Sequence, residues 1–169
     1  MKLNYCPVCG TRLHRKEHPT EAPTQYCDVC GDYRFPLFST AVSVIVLDPA
    51  REKMLMIRQY GKGDLILVAG YVDKGETAEA AVLREVREEI GLKVESPRFL
   101  CSHYYEPSET LMLNYLVVTA DETPHPNWEV DSWEWVPVRE ALGKVKPGGL
   151  AETLLHDYSA CILDPETRK

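Results

Sequence analysis

The sequence predicts an α/β domain behind a small segment organised by its cysteines, and three observations predict it. Four of the six cysteines fall within residues 6–30 as two C-x2-C pairs. Apolar runs of strand length follow at 40–47 and 53–59, with further strand-like runs at 98–105 and 110–119. Between these two sets lies a glutamate-rich stretch, 77–90, made largely of helix formers. Strands interrupted by a helix of this length point to an α/β layer architecture. The expected division is a first unit at 1–36 and a second at 37–169.

The first unit reads Cys6-Pro-Val-Cys9-Gly and Cys27-Asp-Val-Cys30-Gly, or C-x2-C-x17-C-x2-C. That spacing suits a structural Zn2+ held by four thiolates. A glycine after each pair fits the tight knuckle that aims two sulfurs at one ion. The segment holds too few apolar side chains to fold alone, so the metal would supply its folding free energy. His14 and His18 are spare ligand types, but four cysteines complete a tetrahedron, and both are expected in solvated loops.

In the second unit, residues 40–47 (Thr-Ala-Val-Ser-Val-Ile-Val-Leu) read as a buried strand. Asp48-Pro49-Ala50-Arg51-Glu52 turn the chain into a strand at 53–59, and Leu65–Val68 reads as a short third. After the helix come the two long runs, the second with β-branched Val117, Val118 and Thr119. A polar, proline-bearing loop at 121–128 precedes a last strand at Trp133–Val138. A short helix from Arg139 to Leu142 and a terminal one at 149–162 close the pattern. Cys101 and Cys161 sit in apolar contexts and read as small core residues.

The helix carries the chemistry. It ends at Gly91, a natural left-handed terminator, and Ala78, Val82, Val86 and Ile90 repeat every four residues as its buried stripe. Glu85, Glu88 and Glu89 stand at i, i+3 and i+4 and so share one face. Three like charges repel, and the last two lie near the negative end of the helix dipole. A hard divalent cation with oxygen ligands resolves that conflict, and one that keeps bound water suits phosphate chemistry.

From Gly70 to Leu92 the chain reads Gly-x5-Glu-x7-Arg-Glu-Val-x-Glu-Glu-x-Gly-Leu. Seven fixed positions (Gly70, Glu76, Arg84, Glu85, Glu88, Glu89, Gly91) would coincide by chance roughly once in 10^8 windows. This segment resembles the Nudix box at every defining position. The resemblance implies a loop–helix–loop on a mixed β-sheet in an α/β/α sandwich, and hydrolysis of a diphosphate bond in a nucleoside diphosphate derivative. It implies Mg2+ or Mn2+ bound by Glu85, Glu88 and Glu89 with the carbonyl of Ala69. Glu76 and Arg84 would pair across the loop–helix junction and hold the glutamates in place, and Gly70 would approach the substrate.

A cysteine-bound zinc ribbon ahead of a Nudix domain is similar to the NADH pyrophosphatase branch, as is Ala69-Gly70-Tyr71-Val72-Asp73 before Gly75-Glu76-Thr77. That branch has a Ser-Gln-Pro-Trp-Pro-Phe-Pro signature where this chain has Ser102-His103-Tyr104-Tyr105-Glu106-Pro107-Ser108. The departure leaves the hydrolase chemistry intact but weakens the expectation of NADH relative to ADP-ribose. Those enzymes also place a further metal-binding glutamate ahead of an aromatic strand, which points to Glu129 with Glu106, Glu109 and Glu134 as competitors. Tyr104 and Tyr105 are candidates to stack a nucleobase, though strand alternation sends only one of them into a cleft. His103 is a weaker substrate candidate. A homodimer is implied by the same likeness.

Bulk properties exclude other classes. Net charge is −7, against a general nucleic-acid or membrane-surface binder, and no apolar run approaches the length of a membrane span. The N-terminus lacks an apolar signal core, so a cytoplasmic enzyme is expected, with its thiols reduced. The competing reading is a non-catalytic regulator that senses a nucleotide and binds nucleic acid through the ribbon. In the ribbon, Lys2, Arg12, Arg15, Lys16 and Arg34 nearly cancel Glu17, Glu21, Asp28 and Asp32, which argues against it. Removal of an NAD cap from RNA is the same chemistry on a larger substrate.

Overall fold

The computed structural model describes residues 3–162, without the side chains of Asp157 and residues 159–162. The side chain of Cys161 therefore lies outside the described residues. The chain forms two compact units, Met1–Ser39 and Thr40–Lys169.

In the first unit, β1 (His14–Lys16), β2 (Thr24–Cys27) and β3 (Asp32–Arg34) form an antiparallel sheet in that order. Its core is Cys6, Leu13 and Cys27 with Leu3 and Cys30 packed on them, which is too little apolar surface to hold a fold. An aromatic cluster adds to it: Tyr26 meets Tyr33 edge-on at 4.9 Å, and Tyr33 meets His18 at 4.4 Å. His14 is on a strand rather than in a loop, and its ring faces Asp28 at 3.2 Å. His18 is in a loop, where its Nδ1 accepts from the backbone N–H groups of Thr20 and Glu21.

The second unit is built on β4 (Ser39–Leu47), flanked by β5 (Lys53–Gln59) and β6 (Val68–Tyr71) on one side. On its other side lies β8 (Thr110–Val118), which carries β7 (Arg98–Tyr105) as the edge. β9 (Val130–Pro137) closes the far edge by pairing with β5. Period-two alternation sorts the side chains into two layers. Val42, Val44 and Val46 of β4 and Leu55 and Ile57 of β5 pack beneath α1 (Ala78–Ile90) with Val82, Val86 and Ile90. The alternate residues Ile45, Leu47, Met54 and Met56 pack beneath α3 (Leu150–Ile162) with Leu154, Leu155 and Tyr158. Each such side chain contributes about 1.5–3 kcal/mol on burial, so the sheet is fixed from both faces. The result is the expected α/β/α sandwich.

Several elements differ from expectation for identifiable reasons. β6 starts at Val68 rather than Leu65, because Ile66 first exchanges backbone hydrogen bonds with Ile57 before the chain crosses to β4. β9 starts at Val130, three residues earlier than the aromatic run suggests, because β5 offers partners as far as Gln59. Along α1 an every-four stripe drifts off the core face, so Ala81 and Glu89 are buried and Ala78 is only partly covered. The short helix α2 (Val138–Ala141) follows β9. Among the described residues no helix is long and apolar enough to cross a membrane.

Candidate functional site

The two ligand sets of the chain are built by opposite means. In the first unit, Gly10 and Gly31 take left-handed φ of 73° and 65°, and their N–H groups donate to the carbonyls of Cys6 and Cys27 at 2.9 and 2.8 Å. Each turn thus folds its C-x2-C pair back on itself. The four sulfurs lie within 4.8 Å of one another, with Cys6–Cys30 at 3.8 Å, Cys9–Cys27 at 3.5 Å and Cys9–Cys30 at 3.4 Å. A tetrahedron of Zn–S bonds has edges of about 3.8 Å, so the cage fits zinc. Burial opposes ionisation of Cys6, yet the backbone N–H groups of Cys9 and Val8 and the Arg34 guanidinium bring its thiol down to about 6. Cys30, sharing a proton with Cys9 and shielded by burial, is pushed up to about 12.

In the second unit, the box loop ends in a tight junction. Thr77 caps α1, its hydroxyl oxygen accepting from the Ala80 N–H at 3.2 Å, and Gly91 terminates the helix at φ 66°. Arg84 reaches back to the loop and grips Glu76 with two bonds, Nε to Oε1 at 3.0 Å and an Nη to Oε2 at 2.9 Å. The same guanidinium donates to the Tyr71 carbonyl at 2.9 Å and to Glu85 at 2.6 Å. Glu76 also accepts from the Asp73 N–H at 3.1 Å, and Arg84 with that N–H holds its carboxyl below the usual carboxylate range. Gly70 leaves room for the Glu85 carboxylate, which a Cβ there would displace. Glu85 therefore lies flat on the backbone of β6.

The three helix glutamates fan out rather than sharing one environment. Glu88 has a half-exposed side chain, with one long contact to Arg84 at 3.4 Å. Glu85 is mostly covered, and burial pushes its pKa up against the pull of Arg84, with Glu88 and Glu129 adding to the rise. Glu89 is only 5% exposed. Its Oε1 accepts from Gln59 Nε2 at 2.8 Å, while its buried Oε2 has no hydrogen-bond partner. Burial first, and then the charges of Glu85 and Glu129, raise its pKa to about 7 against the pull of Gln59.

Glu129 joins this group through the loop between β8 and β9. The N–H groups of His125 and Asn127 donate to the carbonyls of Ile90 and Glu89 at 2.8 and 3.0 Å, pinning the loop to the C-terminal end of α1. Asn127 Oδ1 then accepts the Glu129 N–H at 2.9 Å. The competitor Glu134 is instead paired with Arg58 at 2.9 Å. Ala69 sits opposite Ser43 in the β4–β6 ladder.

The remaining candidates separate by strand parity. Tyr104 stands opposite Leu111, in the row that runs through Leu113 and Tyr115 into the layer under α1, and is half-exposed. Tyr105 stands opposite Thr110 in the row of Met112 and Asn114, on the layer under α3. His103 shares that row and bonds Asn114 at 3.0 Å, away from the carboxylates. Gln59 is a contact that sequence reasoning missed. The only signal for it was a polar residue ending a buried strand.

The donor set fits a divalent cation. A buried carboxylate oxygen without a partner, beside two further carboxylates, is an expensive arrangement that a hard cation relieves.

The chain is similar to known proteins over most of its length. The NUDIX domain family matches residues 37–155. The chain is 28% identical over 151 residues to the "NAD-capped RNA hydrolase NudC" of Stutzerimonas stutzeri, covering 83% of this chain and 53% of that protein. It is 28% identical over 172 residues to "NAD-capped RNA hydrolase ndx-9" of Caenorhabditis elegans, covering 96% and 44%. The chain thus spans about half the length of the curated relatives it matches. Among solved structures, a NUDIX hydrolase from Nitrosomonas europaea superposes with a TM-score of 0.69 at 19% identity, covering 98% of this chain and 92% of that one. The NUDIX domain of Shewanella oneidensis NrtR, complexed with ADP ribose, gives 0.63 at 15%, covering 81% and 94%. Both likenesses concern the fold.

Proposed function

The chain belongs to the NUDIX domain family, and on that premise we propose that it hydrolyses the diphosphate bond of an adenosine-containing nucleoside diphosphate derivative. NADH or NAD is the first choice of substrate and ADP-ribose the second. The observation that carries this reading is the buried Glu89, with one oxygen fixed by Gln59 and the other unpartnered, beside Glu85 and Glu129.

Glu85, Glu88, Glu89 and Glu129, with the carbonyl of Ala69, would hold Mg2+ or Mn2+. When bound, such a cation neutralises phosphate charge and lowers the pKa of coordinated water. The chain's own residues do the rest. Arg84 spends its fork on Glu76, Glu85 and Tyr71 and so fixes the loop relative to the helix. That rigidity matters because misplacement of a reacting group by about 1 Å can cost 10^2-fold in rate. Glu88 is the most accessible of the carboxylates and the one least tied by protein groups, which suits it to accept the proton of the attacking water. Tyr104, exposed on the α1 side of the sheet, offers a ring face to a purine whatever hangs from the distal phosphate. The products are a nucleoside monophosphate and a second phosphorylated fragment. In the first unit, the thiol cage takes Zn2+ as a structural ion, since four cysteines leave no open position for water.

The relatives' printed activity supports the nicotinamide branch, and NAD-capped RNA belongs in the assay for that reason. The test is a panel of NADH, NAD, ADP-ribose, NAD-capped RNA, dinucleoside polyphosphates and nucleoside triphosphates with Mg2+. Release of AMP from NADH, NAD or ADP-ribose is expected. Turnover of triphosphates with all three of these untouched would overturn the substrate assignment.

A further inference from the structure

Gln59, outside the box and the last residue of β5, is bonded to one of the helix carboxylates. Gln59 Nε2 donates to Glu89 Oε1 at 2.8 Å, and the two residues are only 9% and 5% exposed. Tyr60, the next residue, is an exposed aromatic. Its backbone is in the left-handed region at φ 56°, which a side-chain-bearing residue adopts only when its surroundings require it. The turn is locked from both ends. The ladder between β5 and β9 shifts register between Arg58 and Gln59, a bulge of the sort that re-aims a side chain. Just beyond, the Gly61 N–H donates to Asp131 at 2.6 Å.

We propose that Gln59, at the end of β5, is a positioning residue for the metal-binding carboxylates and orients Glu89. The proposal rests on the reading of those carboxylates as divalent-cation ligands. Its physical core is the chemistry of the donor. An amide gives a hydrogen bond but carries no positive charge, so Glu89 keeps its negative charge for a cation. A lysine in its place would neutralise the carboxylate and compete with the metal. Arg84 makes the contrast plain, since its charge is shared with Glu76, a residue of the scaffold. With Gln59 on Oε1, Oε2 is left as the one oxygen of Glu89 that no protein group engages.

The test compares parent, Gln59→Met and Gln59→Asn by calorimetric titration with Mn2+, with the fold of each checked by circular dichroism and by melting. Gln59→Met keeps length and burial but loses the donor, and Gln59→Asn keeps the amide but draws it back by one methylene from the Glu89 oxygen it now meets at 2.8 Å. Loss of an outer partner of a metal ligand typically costs about 10–100-fold in affinity. A weakening in that range is expected for both variants. Parent-like Mn2+ affinity in either folded variant overturns the positioning role while leaving the ligand assignment standing. A parent that binds no Mn2+ at millimolar concentration overturns the ligand assignment, and the positioning role with it. If Gln59→Met does not fold, Gln59→Asn decides the matter by itself.

Discussion

The thiol cage and the carboxylate site are both clusters of anionic ligands, yet one is assembled by local turns and the other by distant contacts. Each C-x2-C pair is closed by a glycine turn within its own five residues, and the two pairs meet with sulfurs 3.4–3.8 Å apart. The carboxylates instead depend on groups far along the chain: Gln59 holds Glu89 across 30 residues, and Glu129 arrives on a loop bonded to the end of α1. Soft thiolates packed into a closed tetrahedron make a site that folds with its metal. Carboxylates pre-set on a rigid sandwich make a site that can exchange its metal without unfolding. Metal removal should therefore unfold one region and merely switch off the other.

Breaking the cage gives the largest effect. Structural zinc contributes an apparent ~10–16 kcal/mol to small domains that need it, far more than the core of Cys6, Leu13 and Cys27 can replace. Cys6→Ser is expected to lose bound zinc by elemental analysis and to leave residues 1–39 open to proteolysis while the second unit stays folded. A parent protein purified without chelator that contains no zinc would refute the assignment.

The carboxylate site should respond in turnover rather than in folding. Glu88→Gln and Glu89→Gln each delete a charge from a repulsive cluster, so both should fold while losing turnover by about 10^2-fold or more, beyond the loss typical of an outer-shell partner. Activity within a few-fold of the parent in both would remove them from the metal set. Gly70→Ala is milder. Its Cβ would displace the Glu85 carboxylate, the mobile end of a side chain, and leave the backbone in place. A loss of turnover of about 10-fold, with melting nearly unchanged, is the expected outcome.

How much of this was legible follows the same division. The helix 78–90 and both cysteine pairs announced themselves, because caps, periodicity and knuckle glycines act over a few residues. Gln59 did not, because nothing near it in sequence marks a contact with Glu89. The burial of Glu89 was hidden because a helical wheel places it at the edge of the apolar stripe, and its side-chain partner Gln59 comes from a strand 30 residues away. The pair Tyr104 and Tyr105 could be narrowed to one by alternation, but choosing between them needed the register against Leu111 and Thr110.

Acid–base behaviour sharpens the contrast further. Glu89 has its pKa raised by burial from 4.5 to about 7, so the folded state binds more protons than the unfolded state between those values. Stability of the metal-free protein should then fall as pH rises across that window, by about 1–3 kcal/mol. Glu85, shifted in the same direction by burial, adds to the slope. Glu89→Gln should flatten it and be more stable than the parent at pH 8 in EDTA. Melting curves from pH 4.5 to 8 check this, and a parent whose stability rises across the window would contradict the burial argument.

The smallest effect isolates the helix from the site it carries. Thr77 accepts one of the first free N–H groups of α1, that of Ala80 at 3.2 Å, and has no contact with the ligand carboxylates. Replacing such a cap by alanine costs about 1 kcal/mol. Thr77→Ala should lower the melting temperature of the second unit by a few degrees. Its turnover at saturating Mg2+ should stay at the parent's level, because Arg84 and Glu76 join loop to helix independently of the cap. The measurement pairs a melt with a rate under one set of conditions. A drop in rate as large as that of Gly70→Ala would mean that the first turn of the helix, and not the Arg84 clamp, sets the position of Glu85.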